Sequence, residues 1–142
     1  MAAFEGSYRH KIDAKGRLSL PAEFRKDLKR DLKVVLSDDP ENPSLMIFDP
    51  EEYTQWLDHY FDKKGGYDPS NRQMRNFRKV MASRSKPCQM DDGGRIRLTT
   101  EQRERAGLST DVTIIGDCEH IEIWDTQRWE EFELQALALD FD

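Results

Sequence analysis

DAKGRLSLPAEFR, residues 13–25, returns as DDGGRIRLTTEQR, residues 91–103, and this repetition governs how the rest of the 142-residue chain is read. At a constant offset, Asp13 matches Asp91, Gly16 matches Gly94, Arg17 matches Arg95, Leu20 matches Leu98, Glu23 matches Glu101 and Arg25 matches Arg103. A second stretch, SLMIFDPEEYTQW from Ser44, recurs as HIEIWDTQRWEEF from His120, with Ile47 against Ile123, Phe48 against Trp124 and Asp49 against Asp125. The two offsets differ by only two residues, so one small unit has been duplicated. Units this short bury little core separately, and they are expected to fold against each other.

The shared core is Asp-x-x-Gly-Arg followed by alternating apolar residues. A carboxylate at a turn accepts hydrogen bonds from backbone N–H groups a few residues on, and glycine tolerates the positive φ of a tight reversal. Asp13 and Gly16, like Asp91 and Gly94, are therefore expected to orient a turn between two strands. Arg17 and Arg95 then start the following strands. Pairing of each arginine with its aspartate for the fold alone is the plainer alternative. For the aspartates that reading is preferred, while the guanidinium groups suit phosphate contact or bidentate recognition of guanine.

The remaining elements follow from local signals. Residues 4–12 read as a strand, and Arg17 to Leu20 as a short half-buried one. Pro21 opens a helix expected to reach about Leu32. Val34 to Leu36 and Leu45 to Phe48 read as strands separated by the turn residues 38–43. Asp49, Pro50 and Glu52 mark a helix start with a cap, and Tyr53, Trp56, Leu57, Tyr60 and Phe61 form its apolar face. Ser70 is expected to cap a further helix to about Met81, whose outer face carries Arg72, Arg75, Arg78 and Lys79. Pairing of that basic face with the acidic helix before it would satisfy both. The second unit repeats the order and ends in a helix from about Thr126 bearing Trp129, Phe132 and Leu137.

Net charge is −6 and mean hydropathy is −0.86. The average conceals an asymmetry: residues 9–33 hold nine basic against four acidic residues, whereas residues 111–142 hold Arg128 against ten acids. One basic and one acidic region let a molecule orient on a polyanion or stack on its own copies. No apolar run approaches the ~20 residues of a membrane-spanning helix, and the start lacks an apolar signal region, so a cytoplasmic protein is expected. Cys88 and Cys118 are read as reduced and partly buried.

DAKGR and DDGGR, in the contexts RLSLPAEFR, CQMDDGGRIRL, RAGL and IEIWD, resemble the MraZ family, the two-copy branch of the SpoVT/AbrB-like transcription factors. The resemblance covers nearly the whole chain. It implies an α+β fold with a mainly β core, a pseudo-twofold β-barrel-like body made of two AbrB-like β-α-β-β units and flanked by helices. The corresponding divisions are unit 1 at 5–54, a helical connector at 55–83, unit 2 at 84–127 and an acidic C-terminal helix at 128–142. It further implies a nucleoid-associated, sequence-specific DNA-binding regulator, usually a repressor. Its targets would be repeated G-rich boxes in double-stranded promoter DNA of the bacterial cell-division and cell-wall cluster, including its own operon, bound by a ring-like homo-oligomer. Arg17, Lys15, Arg9 and Arg95 are the expected DNA contacts. Lys15 has Gly93 as its counterpart, so the two copies need not contact DNA equally.

An enzyme is disfavoured. His10, His59 and His120 are scattered, and no metal-ligand spacing, P-loop or nucleophile elbow occurs. No cofactor, metal, membrane partner or small-molecule substrate is expected. An antitoxin or protein-interaction module is the stronger rival, because AbrB-like folds also serve in that role.

Overall fold

The computed structural model describes residues 3–138. In the first copy, β1 (Ser7–Lys11) and β2 (Arg17–Ser19) flank the aspartate turn, and α1 (Ala22–Arg25), β3 (Asp31–Leu36), β4 (Leu45–Phe48) and α2 (Pro50–His59) follow. The connector holds α3 (Arg72–Ser83). The second copy repeats the series as β5 (Ser85–Gln89), β6 (Arg95–Arg97), α4 (Thr100–Arg105), β7 (Asp111–Asp117), β8 (His120–Asp125) and α5 (Thr126–Leu137). No helix among the described residues is long and apolar enough to cross a membrane.

Six strands form one antiparallel sheet in the order β1-β7-β8-β4-β3-β5, and β2 and β6 form a separate antiparallel ribbon. The copies interleave: β1 pairs with β7 of the other copy, and β5 pairs with β3. At the centre β4 pairs with β8, with Met46 opposite Glu122. These two are also duplicate positions, so the pseudo-twofold axis passes between them.

The main core lies between the sheet and the ribbon. Leu18 and Ile96 point inward from the ribbon, almost wholly buried, onto Leu32, Val34, Ile47, Ile114, Ile121 and Ile123. Burying each such side chain contributes about 1.5–3 kcal/mol. The opposite sheet face carries a smaller cluster of Val35, Met46 and Phe48 under α2 and Met81.

The fold is α+β with a mainly β core, as expected, but the sheet does not close: β1 and β5 remain its edges. The ribbon covers the open side in place of further ladder pairing. The first helix stops at Arg25 rather than Leu32, because Leu32 is taken into β3 opposite Cys88. Phe4 makes an isolated bridge to Cys118 instead of extending β1, and Cys118 is exposed.

Capping also differs from expectation. Asp49 makes no side-chain cap; its Oδ1 accepts from the Lys29 N–H at 2.9 Å instead. Asn71, not Ser70, caps α3, its Oδ1 accepting from Met74 N–H at 3.1 Å, while Ser70 bonds to Asp68. Leu137 is exposed, and only Trp129 and Phe132 of the anticipated α5 stripe stack on Trp124. Residues 139–142 of the expected C-terminal helix lie outside the described residues. Among the described residues no α2 acid pairs with an α3 cation; Glu51 pairs with Lys29.

Candidate nucleic-acid interface

The two aspartate turns have the same geometry. Asp13 Oδ1 accepts from the N–H groups of Lys15 (2.9 Å) and Arg17 (2.8 Å), and its Oδ2 accepts from Arg17 Nε at 2.8 Å. Asp91 does the same with Gly93 N–H, Arg95 N–H and Arg95 Nε, at 2.9, 2.9 and 3.0 Å. Gly16 and Gly94 adopt φ of 81° and 78°, the left-handed region that glycine occupies at least cost. The Arg17 N–H bond is the largest influence holding the Asp13 carboxyl down at about 2, and the Arg95 N–H holds Asp91 below its ordinary value in the same way. The aspartate–arginine pairs are thus real, and they fix the guanidinium groups through Nε. The terminal Nη groups are left as the donors a ligand would meet.

The turns do not stand apart. Leu20 N–H donates to Gly94 O and Leu98 N–H to Gly16 O, so each turn is tied to the strand that follows the other. In the ribbon Arg17 stands opposite Arg97 and Ser19 opposite Arg95. Strand alternation turns Leu18 and Ile96 into the core and sends Arg17, Arg95 and Arg97 outward together. Lys15 sits exposed at the first turn. Asp92, the extra acid of the second turn, is ion-paired to Arg30 at 2.8 Å, which offsets its charge locally.

Arg9 does not join this cluster. It pairs with Glu130 of α5 and stands opposite Thr113, whose hydroxyl meets Thr126 on the helix-covered face of the sheet.

Three arginines lay beyond the sequence reading. Arg97 has Ser19 as its counterpart, so a comparison of what repeats passes over it. Arg25 and Arg103 do repeat, but each crosses to the other copy: Arg25 Nη1 donates to Gly93 O at 3.0 Å, and Arg103 lies beneath Gly16. They brace the turns from behind, their Nε atoms buried without a partner among the described residues. Their exact duplication was the available signal.

The histidines separate. His10 meets Ser19 O at 2.6 Å and His59 meets Asp62 at 2.8 Å, both at the surface. His120 is buried beside Glu122 and Asp117, the one group of three close metal-type donors among the described residues. That group faces the helices, away from the ribbon.

A two-stranded antiparallel ribbon is narrow enough to enter the major groove of B-form DNA, about 12 Å wide. Its outward arginines present planar donors suited to phosphate oxygens and to guanine edges.

The family model described as "MraZ protein, putative antitoxin-like" matches residues 3–73 and 81–142, one match per copy. A protein of Corynebacterium urealyticum named "Transcriptional regulator MraZ" is 39% identical over 129 residues, 91% of this chain and 85% of that protein. Proteins of the same name from Nocardia farcinica and Mycobacterium ulcerans are each 37% identical, the alignments covering 91% and 92% of this chain and 85% and 86% of theirs. With both copies matched and the aspartate turns preserved in each, the chain belongs to the MraZ family.

Proposed function

We propose that this chain is a sequence-specific DNA-binding transcriptional regulator that inserts the β2–β6 ribbon into the major groove. The observation that carries the reading is the outward row of Arg17, Arg95 and Arg97, two of the three locked in place by an aspartate turn. Preset guanidinium groups lose less freedom on binding than mobile ones, which favours specific contact over loose adhesion. Lys15 adds a phosphate contact at the first turn. Both copies contribute to one surface, unequally: the first supplies Lys15, the second Arg97.

The names of the relatives support a regulator rather than a catalyst. The finer reading is repression of the cell-division and cell-wall cluster, including its own operon, through repeated G-rich boxes. One ribbon offers few cations, and each neutralised phosphate adds a modest, salt-dependent share of affinity. A ring-like homo-oligomer reading several direct repeats would gain through effective concentration.

Gel-shift titration against the chain's own promoter tests the reading. Arg17→Ala and Arg97→Ala are each expected to weaken binding about tenfold or more while the assembly mass is unchanged. Full affinity in both variants would overturn it. Co-purification of a stoichiometric toxin, with no promoter binding, would favour the antitoxin-like alternative that the family description mentions.

A further inference from the structure

On the sheet face opposite the ribbon, α2 and α5 leave a cavity of about 510 Å³ between them. Its floor is the pseudo-twofold axis, where Met46 and Glu122 stand opposite each other. Trp56, Trp124 and Trp129, all three tryptophans of the chain, line it together with Phe132. Its charged lining groups are the carboxylates of Asp38, Asp39, Asp117 and Glu122, and no lysine or arginine among the described residues joins them.

Glu122 is the anomaly. Its side chain is 14% exposed, and two donors hold it: His120 Nε2 to Oε2 at 2.8 Å and Trp124 Nε1 to Oε1 at 2.8 Å. His120 is 4% exposed and stacks on Phe48 with ring centres 4.5 Å apart. Its Nδ1 is buried with no partner among the described residues. A buried N–H without an acceptor carries a desolvation cost, so the ring proton belongs on Nε2, where it is donated to Glu122. Burial opposes ionisation of Glu122, but the His120 and Trp124 bonds outweigh it and keep the carboxyl below its ordinary value. Burial and the facing Glu122 raise Asp117. The first copy shows what the fold alone requires at this position: Met46. Glu122 therefore holds a desolvated negative charge where its duplicate does without one.

We propose that this cavity is a binding site for a small organic cation, an alkylammonium or alkylguanidinium. The carboxylates of Glu122 and Asp117 are the anionic partners for the cationic head, and the tryptophan faces surround the apolar stem and attract that head. A bare metal ion is the poorer occupant of the Asp117–His120–Glu122 donors. Ligation through Nε2 would move the ring proton to Nδ1, which has no acceptor, whereas metal-bound histidines donate that proton to a partner. The proposal is independent of the DNA-binding reading.

Because every tryptophan lines the cavity, intrinsic fluorescence of the full chain reports occupancy directly. Titration with butylamine and butylguanidine, against sodium chloride at matched ionic strength, is expected to give a saturable change with a dissociation constant of about 1 mM or tighter. Glu122→Gln keeps the side-chain size and an acceptor for Trp124, and is expected to weaken binding about tenfold or more. Asp117→Asn, on the exposed hairpin, is expected to weaken it several-fold and carries the test if the first variant does not fold. No saturable change, an equal response in wild type and both variants, or a response to zinc chloride alone would each overturn the proposal. Gel shifts on the same protein keep that failure distinct from a failure of DNA binding.

Discussion

Gly16 shows how tightly a single residue constrains the turn. A Cβ there would lie 2.7 Å from the Leu98 carbonyl oxygen, and that oxygen belongs to the backbone of the ribbon. Gly65 has a similar φ, 85°, but nothing within 4 Å of its would-be Cβ. Gly65→Ala is therefore expected to cost only the left-handed penalty, about 1 kcal/mol, and Gly16→Ala about 3 kcal/mol or more. Urea unfolding of the two variants measures the difference. Asp13 yields a pH prediction with a defined sign. Its folded carboxyl titrates at about 2, against about 4 when unfolded. The turn is therefore favoured above about pH 4 and loses that support as pH falls toward 2. The protection of the Arg17 amide, taken relative to its intrinsic exchange rate at each pH, should fall across that window in the wild type, and Asp13→Asn should abolish that fall. Asp13, Gly16 and Arg17 were legible in the sequence because all three atom-level requirements of the turn are local. Arg97 was not, because its place beside Arg17 depends on which strand pairs with which.

Elements were legible in type more than in extent. Periodicity placed the three long helices and most strands, yet the caps depended on competition among neighbouring polar groups. Ser70 and Asn71 are both good cap residues, and the chain decides between them by bonding Ser70 N–H and Oγ to Asp68, at 2.9 and 2.7 Å. Asn71 then accepts from Met74 N–H. Asn71→Ala should lower stability by about 1 kcal/mol, and Ser70→Ala by clearly less; thermal unfolding monitored by circular dichroism separates them. Asp49 illustrates the same competition across space, since its carboxylate leaves its own helix to hold Lys29 N–H. No sequence window contains both partners. His120 and Glu122 lie two apart on β8, so strand alternation puts them on one face with Trp124, and that much was open to reading. The cavity was not, because α2 and α5 come from different copies.

The whole molecule is defined by an exchange that the duplication does not reveal. Identical copies carry identical strand patterns, so β1 matches β3 of its own copy as well as β7 of the other, and periodicity cannot choose. The structure chooses the other copy for both edge strands, and the ribbon again takes one strand from each. Leu18 packs in the same cluster as Ile114 and Ile121, while Ile96 packs in the same cluster as Val34 and Ile47. Neither copy thus owns the main core, and the arginine face exists only when both are present. A fragment of residues 1–83 loses the ladder partners of β1, β2 and β4 and leaves their apolar faces in water. It is expected to lack cooperative unfolding and promoter affinity, as is 84–142. Mixing the two should restore a single sigmoidal urea transition, because the loss is of partners rather than of local structure. Independent folding of either fragment, seen as dispersed amide resonances and its own unfolding transition, would contradict the interleaved core and with it the shared arginine face.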